Sequence, residues 1–106
     1  MIYEYRCYDV VAGYLPELHR GLAEDSLPLF EKHGIHPIGF WETVVGDSNQ
    51  LHYIVPFADL ADMEARWRTF RSDPTKGPAQ TTPDGQRVTM RVTNQIWRPT
   101  SYSKLK

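Results

Sequence analysis

With 106 residues, 41% hydrophobic and 24% charged, the chain makes one globular domain with a single two-layer core and is too short for two. Its 12 basic and 13 acidic residues leave a formal net charge of −1, which argues against a nucleic-acid binder, whose basic stripe must neutralise phosphates. No apolar run approaches the ~18 residues of a spanning helix, nothing resembles a signal peptide, and the lone Cys7 cannot form an internal disulfide, so a cytoplasmic protein without a membrane span is expected.

Residues 2 to 11 alternate as a first strand, with Tyr3, Tyr5 and Cys7 on one face and Ile2, Glu4, Arg6 and Tyr8 on the other. From about Tyr14 to His33, Leu15, Leu18, Leu22 and Leu29 form a helical stripe, with Glu17, Arg20 and Glu24 outward. Pro16 suits the first turn. Pro28 in mid-helix deletes a hydrogen bond and clashes with the preceding turn, costing ~3 kcal/mol. The pattern therefore predicts a kink or break near Ser26-Leu27, with Ser26 capping the second piece. Gly34 ends the helix.

A β-hairpin follows from about His36 to Phe57, its two strands joined by the four-residue turn Gly46-Asp47-Ser48-Asn49. Asp59 is placed to cap another helix, with Leu60, Met63, Trp67 and Phe70 as its buried stripe. Arg66, Arg68 and Arg71 follow Asp62 and Glu64 and read as a solvated helix face. Residues 72 to 87 carry three prolines and two glycines without periodicity, the signature of a mobile loop or lid. Val88 to Trp97 forms a last strand, and a polar tail follows Arg98-Pro99.

Strand, helix, strand, strand, helix, strand is the α+β, ferredoxin-like βαββαβ order: one antiparallel sheet with both helices on one face, in a single domain over residues 1–106. The other face must find cover. The alternation assigns Tyr3, Tyr5, Leu51, Tyr53 and Val55 to one side and Ile2, Tyr8 and Ile54 to the other. The second strand adds Ile38, Phe40 and Val44 to one face, Trp41 and Val45 to the other. Large apolar groups thus lie on both sides, and a homodimer packed sheet to sheet is the simplest way to bury them.

Once these elements are placed, the opening Met1-Ile2-Tyr3-Glu4-Tyr5-Arg6-Cys7-Tyr8 resembles the start of NIPSNAP-family domains. Leu27-Pro28-Leu29, Gly39-Phe40-Trp41, Gly46 with Asn49-Gln50, Asp59-Leu60, Ser72-Asp73-Pro74 and Asn94-Gln95-Ile96-Trp97-Arg98-Pro99 match in the same order. The resemblance implies a dimeric α+β barrel, a superfamily that includes cofactor-free monooxygenases, haem-handling enzymes and lactone isomerases. Two departures stand out. Tyr53 occupies a third-strand position where the family often has histidine, with His52 one place earlier, and the Pro/Gly-rich run after Asp73-Pro74 replaces a helical segment.

No two histidines among His19, His33, His36 and His52 have the spacing of a helical metal site, and no metal or cofactor is expected. His19, His33 and His36 read as solvated. His52 lies mid-strand on the face of Gln50 and Ile54, where it could accept a proton, or simply be a hydrogen-bonded structural residue. Glu4 and Arg6 share a face and must pair if they point inward; they would hold a ligand carboxylate or keep a dimer in register. Tyr3, Tyr5, Trp41, Tyr53, Phe57 and Trp97 could line a pocket or fill the core.

The candidate ligand-binding set is Glu4, Arg6, Trp41, His52 and Tyr53; His52 and Tyr53 are the candidates for acid–base catalysis. The leading expectation is a homodimer that holds a small, mainly apolar or aromatic ligand. A cofactor-independent monooxygenase or isomerase, and a protein-interaction module without a ligand, are the alternatives.

Overall fold

The structure is a computed structural model that describes residues 1–106. Strands β1 (Ile2–Val10), β2 (Gly39–Glu42), β3 (Gln50–Phe57) and β4 (Thr89–Trp97) form one antiparallel sheet in the order β2-β3-β1-β4. Helical segments α1 (Leu15–Gly21), a π-helical turn (Leu22–Ser26) and α2 (Leu27–Lys32) run on from one another, and α3 (Leu60–Arg71) follows the hairpin. This is the ferredoxin-like α+β fold expected. No helix is long and apolar enough to cross a membrane.

The clearest strand is β3, whose Leu51, Tyr53, Val55 and Phe57 are buried while the residues between them are half-buried. Tyr53, Val55 and Phe57 pack with Phe30, Ile35 and Trp67 beneath the helices. Val10, Leu18, Leu22, Leu51 and Val88 make a second buried cluster. Pro56 is tolerated because its nitrogen points to the β2 side, where the ladder has run out: Ile38 N donates to Ile54 O, and pairing begins only at Gly39.

Register corrects the assignment of faces. Directly opposed residues in an antiparallel pair share a face, and Glu4 lies opposite Val55, Arg6 opposite Tyr53 and Tyr8 opposite Leu51. Leu51, Tyr53 and Val55 therefore belong with Ile2 and Tyr8 on the helix-covered face, not with Tyr3 and Tyr5. Ile54 and His52 share the open face with Tyr5 and Cys7. Alternation within a strand shows two faces, but only the pairing shows which faces coincide.

The hairpin is shorter in its first arm than its β-branched residues suggest. β2 ends at Glu42, and the connection to β3 spans residues 43 to 49 rather than four residues. Val44 and Val45 are 92% and 93% exposed, so neither belongs to a sheet face. Beyond Thr43, whose amide donates to Gln50 O, the partner backbone is taken: Asn49 has φ 60° and its carbonyl accepts from Val10 N.

Pro28 widens the first helix instead of breaking it. Leu27 N donates to Leu22 O, an i→i+5 bond, and Pro28 sits in the first turn of α2 where its missing amide costs little. Ser26 is itself helical (φ −75°, ψ −45°) and caps nothing. The wide turn also advances the helix phase by about one residue. Phe30 is consequently the fully buried side chain, at 2% exposure, whereas Leu29 is only half-buried. In α3, Asp59 caps as expected, its carboxylate accepting from Asp62 N at 2.8 Å. Leu60, 58% exposed, falls outside the stripe of Met63, Trp67 and Phe70.

Residues 72 to 87 make polar contacts among themselves and with the first helix. Thr81 and Arg87 form an isolated bridge closed by a turn at Asp84-Gly85, and Gln80 Nε2 donates to Glu17 O at 2.8 Å. Asp73 anchors the start. Its buried carboxylate accepts from Lys32 Nζ (2.9 Å), His33 Nε2 (2.6 Å) and both the amide and hydroxyl of Thr75. His33 is thus a half-buried partner of Asp73, not a solvated side chain. His19 and His36 are exposed, beside Glu42 and Glu31.

The hydrogen bonds from Lys32, Thr75 and His33 hold the Asp73 carboxyl well below the ordinary aspartate range. A depressed folded-state value adds stability that is present above the unfolded pKa of about 3.9 and disappears as pH falls toward the folded value. Asp73→Ala should accordingly lower the Tm by several degrees at pH 7. Thermal melts at stepwise lower pH should show the gap to the wild-type protein closing below about pH 4. A gap that stays constant down to strongly acidic pH would contradict this role.

Candidate functional site

Between α1, the π turn, α3 and the β4 side of the sheet lies a cavity of about 520 Å³. Leu18, Leu22, Leu29, Phe30, Trp67 and Phe70 supply its apolar wall. It exists because two helices of modest length cannot cover four strands, and β4 receives the least cover. Residues 76 to 80 close one side.

The cavity floor is polar and organised around Arg6, which β1 directs toward the helices. Arg6 Nε donates to the Tyr53 hydroxyl at 2.8 Å and Nη1 to Glu4 at 3.1 Å. The other carboxylate oxygen of Glu4 accepts from Trp67 Nε1 at 2.6 Å, and Asn94 Nδ2 adds a third donor at 2.8 Å. The guanidinium carbon lies 4.7 Å from the Trp67 ring centroid, within cation–π range. Glu4 is 2% exposed, and such a charge is tolerable only with a counter-charge and full hydrogen bonding.

Tyr53 and Tyr8 hydroxyls are 2.7 Å apart. Tyr53 oxygen already accepts from Arg6, so its single proton is free to be donated to Tyr8. The Tyr8 proton is then free to face the cavity, which Tyr8 and Arg6 both line. Burial, reinforced by Tyr8, pushes the Tyr53 hydroxyl well above the usual tyrosine value and keeps it a neutral donor. Burial works against the Arg6 charge, but the oxygens of Tyr53, Tyr8 and Glu4 outweigh it and hold Arg6 above its ordinary value.

Glu4, Arg6 and Tyr53 therefore come together as one network, joined by Tyr8, Trp67 and Asn94. His52 does not converge with them. It lies on the opposite face, where its Nδ1 meets the Tyr5 hydroxyl at 2.7 Å and its Nε2 meets Thr43 Oγ1 at 2.6 Å. Trp41 is also on that face, half-exposed, and lines no part of the cavity. Because Glu4 and Arg6 point to the helices, they do not set register at the open face. Tyr53 is fully buried and reaches the cavity only through Tyr8 and Arg6.

Tyr8 was legible: the same alternation that pairs Glu4 with Arg6 puts Tyr8 beside them. Arg71, Lys76 and Arg87 at the cavity wall were not, because they come from three segments whose meeting depends on tertiary structure. Arg66 and Arg68 face solvent-side carboxylates, Asp62 and Glu64, whereas Arg71 turns to the cavity. No three His, Cys, Asp or Glu side chains gather closely enough to hold a metal ion.

A four-stranded antiparallel sheet with helices on one side and a ligand-sized hollow beneath them defines a ferredoxin-like α+β domain. The NIPSNAP family model matches residues 3–104. The chain belongs to the NIPSNAP family, as its motifs suggested.

The fold is similar to that of a NIPSNAP-family protein of unknown function from Agrobacterium tumefaciens, with TM-score 0.82 and 20% identity over 100% of this chain and 94% of that one. It is similar also to an uncharacterized NIPSNAP domain protein from Burkholderia xenovorans, with TM-score 0.79 and 18% identity over 97% and 98% of the two chains. A more distant likeness is to a mutant of MhuD with two manganese protoporphyrin IX bound per active site, with TM-score 0.65 and 15% identity over 93% and 94%. No curated protein matches the sequence.

Proposed function

We propose that this NIPSNAP-family chain binds a small, mainly apolar ligand in the cavity between the helices and β4, and does so as a homodimer. The cavity carries the reading: at about 520 Å³ it falls in the range of about 300–1,000 Å³ typical of ligand sites. The helices give it an apolar wall of Leu18, Leu22, Phe30 and Phe70, and its floor offers Tyr8 and Arg6 to an acceptor oxygen of the ligand. The MhuD mutant of similar fold has two manganese protoporphyrin IX bound per active site, which supports a ligand-holding role for this fold.

Aromatic and lipid-like compounds should raise the Tm saturably, since ligand at about 100 times its Kd adds about 2.7 kcal/mol. Ala79→Trp, which fills the cavity from its exposed wall, should abolish the shift. Equal stabilisation of both proteins, or of neither by any compound, would end the reading.

The dimer is supported by the open sheet face. Tyr5 stacks between Trp97 and His52, with centroids 5.2 and 5.8 Å away, and Trp41 and Trp97 remain 50% and 42% exposed. Such aromatic area is costly to leave wet. Light scattering at micromolar concentration should return twice the 12.3 kDa chain mass; a monomeric mass would refute the assembly.

A further inference from the structure

The charges around the cavity specify more than its shape. Arg71 at the end of α3, Lys76 and Arg87 all line it and are all solvent-exposed, so they form its rim. None of the three makes an ion pair, so each keeps its charge free for whatever enters. Asp25 is the only carboxylate on the wall. Arg6, deeper and half-buried, has its charge answered by Glu4. The uncompensated positive charge therefore sits at the mouth, over an apolar interior of Leu22, Phe30 and Phe70. Like charges held together without counter-ions repel one another, and low-dielectric walls concentrate their field on whatever enters.

We infer that the ligand is an amphipathic organic anion whose acidic group (carboxylate or phosphate ester) is held at the rim by Arg71, Lys76 and Arg87, with its apolar body lying inward. An acceptor oxygen at the far end would meet Tyr8 and Arg6. This rests on the ligand-binding reading above and adds the charge and the orientation of the bound molecule. Lys76 Nζ lies 5.7 Å from the Phe70 ring centroid, which places its charge directly beside the apolar interior.

Two dyes test it on the intact protein: 8-anilinonaphthalene-1-sulfonate and N-phenyl-1-naphthylamine, which share one aromatic body and differ in the sulfonate. The sulfonate should bind about tenfold tighter at 10 mM salt. That advantage should shrink at 150 mM, where the screening length falls from about 30 to about 8 Å. The triple variant Arg71→Ala/Lys76→Ala/Arg87→Ala should remove the difference between the dyes. Decanoate and decyl phosphate should displace the sulfonate better than decanol, and the stronger of the two identifies the headgroup.

Equal affinity for both dyes, or equal displacement by decanol, would overturn the anion inference while leaving the cavity reading standing. A sulfonate preference that survives the triple variant would overturn the assignment to the rim. Saturable binding of neither dye, or binding unchanged in Ala79→Trp, would remove the cavity reading itself.

Discussion

Glu4→Ala is expected to lower the free energy of unfolding by about 3–5 kcal/mol, because it leaves a largely buried guanidinium without its counter-charge. Three donors lose their acceptor at once: Arg6 Nη1, Trp67 Nε1 and Asn94 Nδ2. Each buried orphan donor costs about 1–3 kcal/mol. The double variant Glu4→Leu/Arg6→Met should be more stable than Glu4→Ala alone, since replacing both charges with apolar groups removes the uncompensated one. Urea denaturation of the wild type, Glu4→Leu, Arg6→Met and the pair would measure the coupling. Strictly additive losses would show that the pair acts as two independent residues.

Phe30→Ala should cost about 3–5 kcal/mol, the usual toll of emptying a buried aromatic site. The ring lies 5.0 Å from Phe70, 5.5 Å from Trp67 and 6.3 Å from Tyr53, so its removal opens the centre of the aromatic cluster. Phe30→Leu should recover most of the loss. The informative comparison is with its neighbour: a regular α-helix would put Leu29 inside, whereas the π turn puts Phe30 there. Leu29→Ala should therefore destabilise much less than Phe30→Ala. Chemical denaturation showing the reverse order would mean that the helix keeps regular phase through Pro28.

What the sequence disclosed and what it withheld divide along a physical line. The alternation of Leu51, Tyr53, Val55 and Phe57, the Asp59 cap and the stop at Gly34 are local signals, set by a residue and its near neighbours, and they predicted their elements well. Val44 and Val45 misled because β-branched side chains favour extended backbone even where no partner strand is available, and availability is a tertiary matter. The place of Phe30 could not be read either, because periodicity assumes a constant turn and Pro28 changes it.

The same division runs through the site. Glu4 and Arg6 announced their pairing by sharing a face two residues apart. Whether His52 or Tyr53 joins them depends on the alignment of β1 with β3, which no single strand encodes. Tyr53 joins them because it lies opposite Arg6.

That alignment has a further consequence for how the sheet finds its partner strands. A slip of β1 by a single residue would turn Glu4 and Arg6 out to the bare side and thrust Tyr5 and Cys7 among the helices. Glu4 is also held by Asn94 of β4 and Trp67 of α3, so misaligned pairing on either edge of the central strand would strand a charge. The buried carboxylate thus proofreads both seams of the sheet at once, a task that no apolar residue in its place could perform.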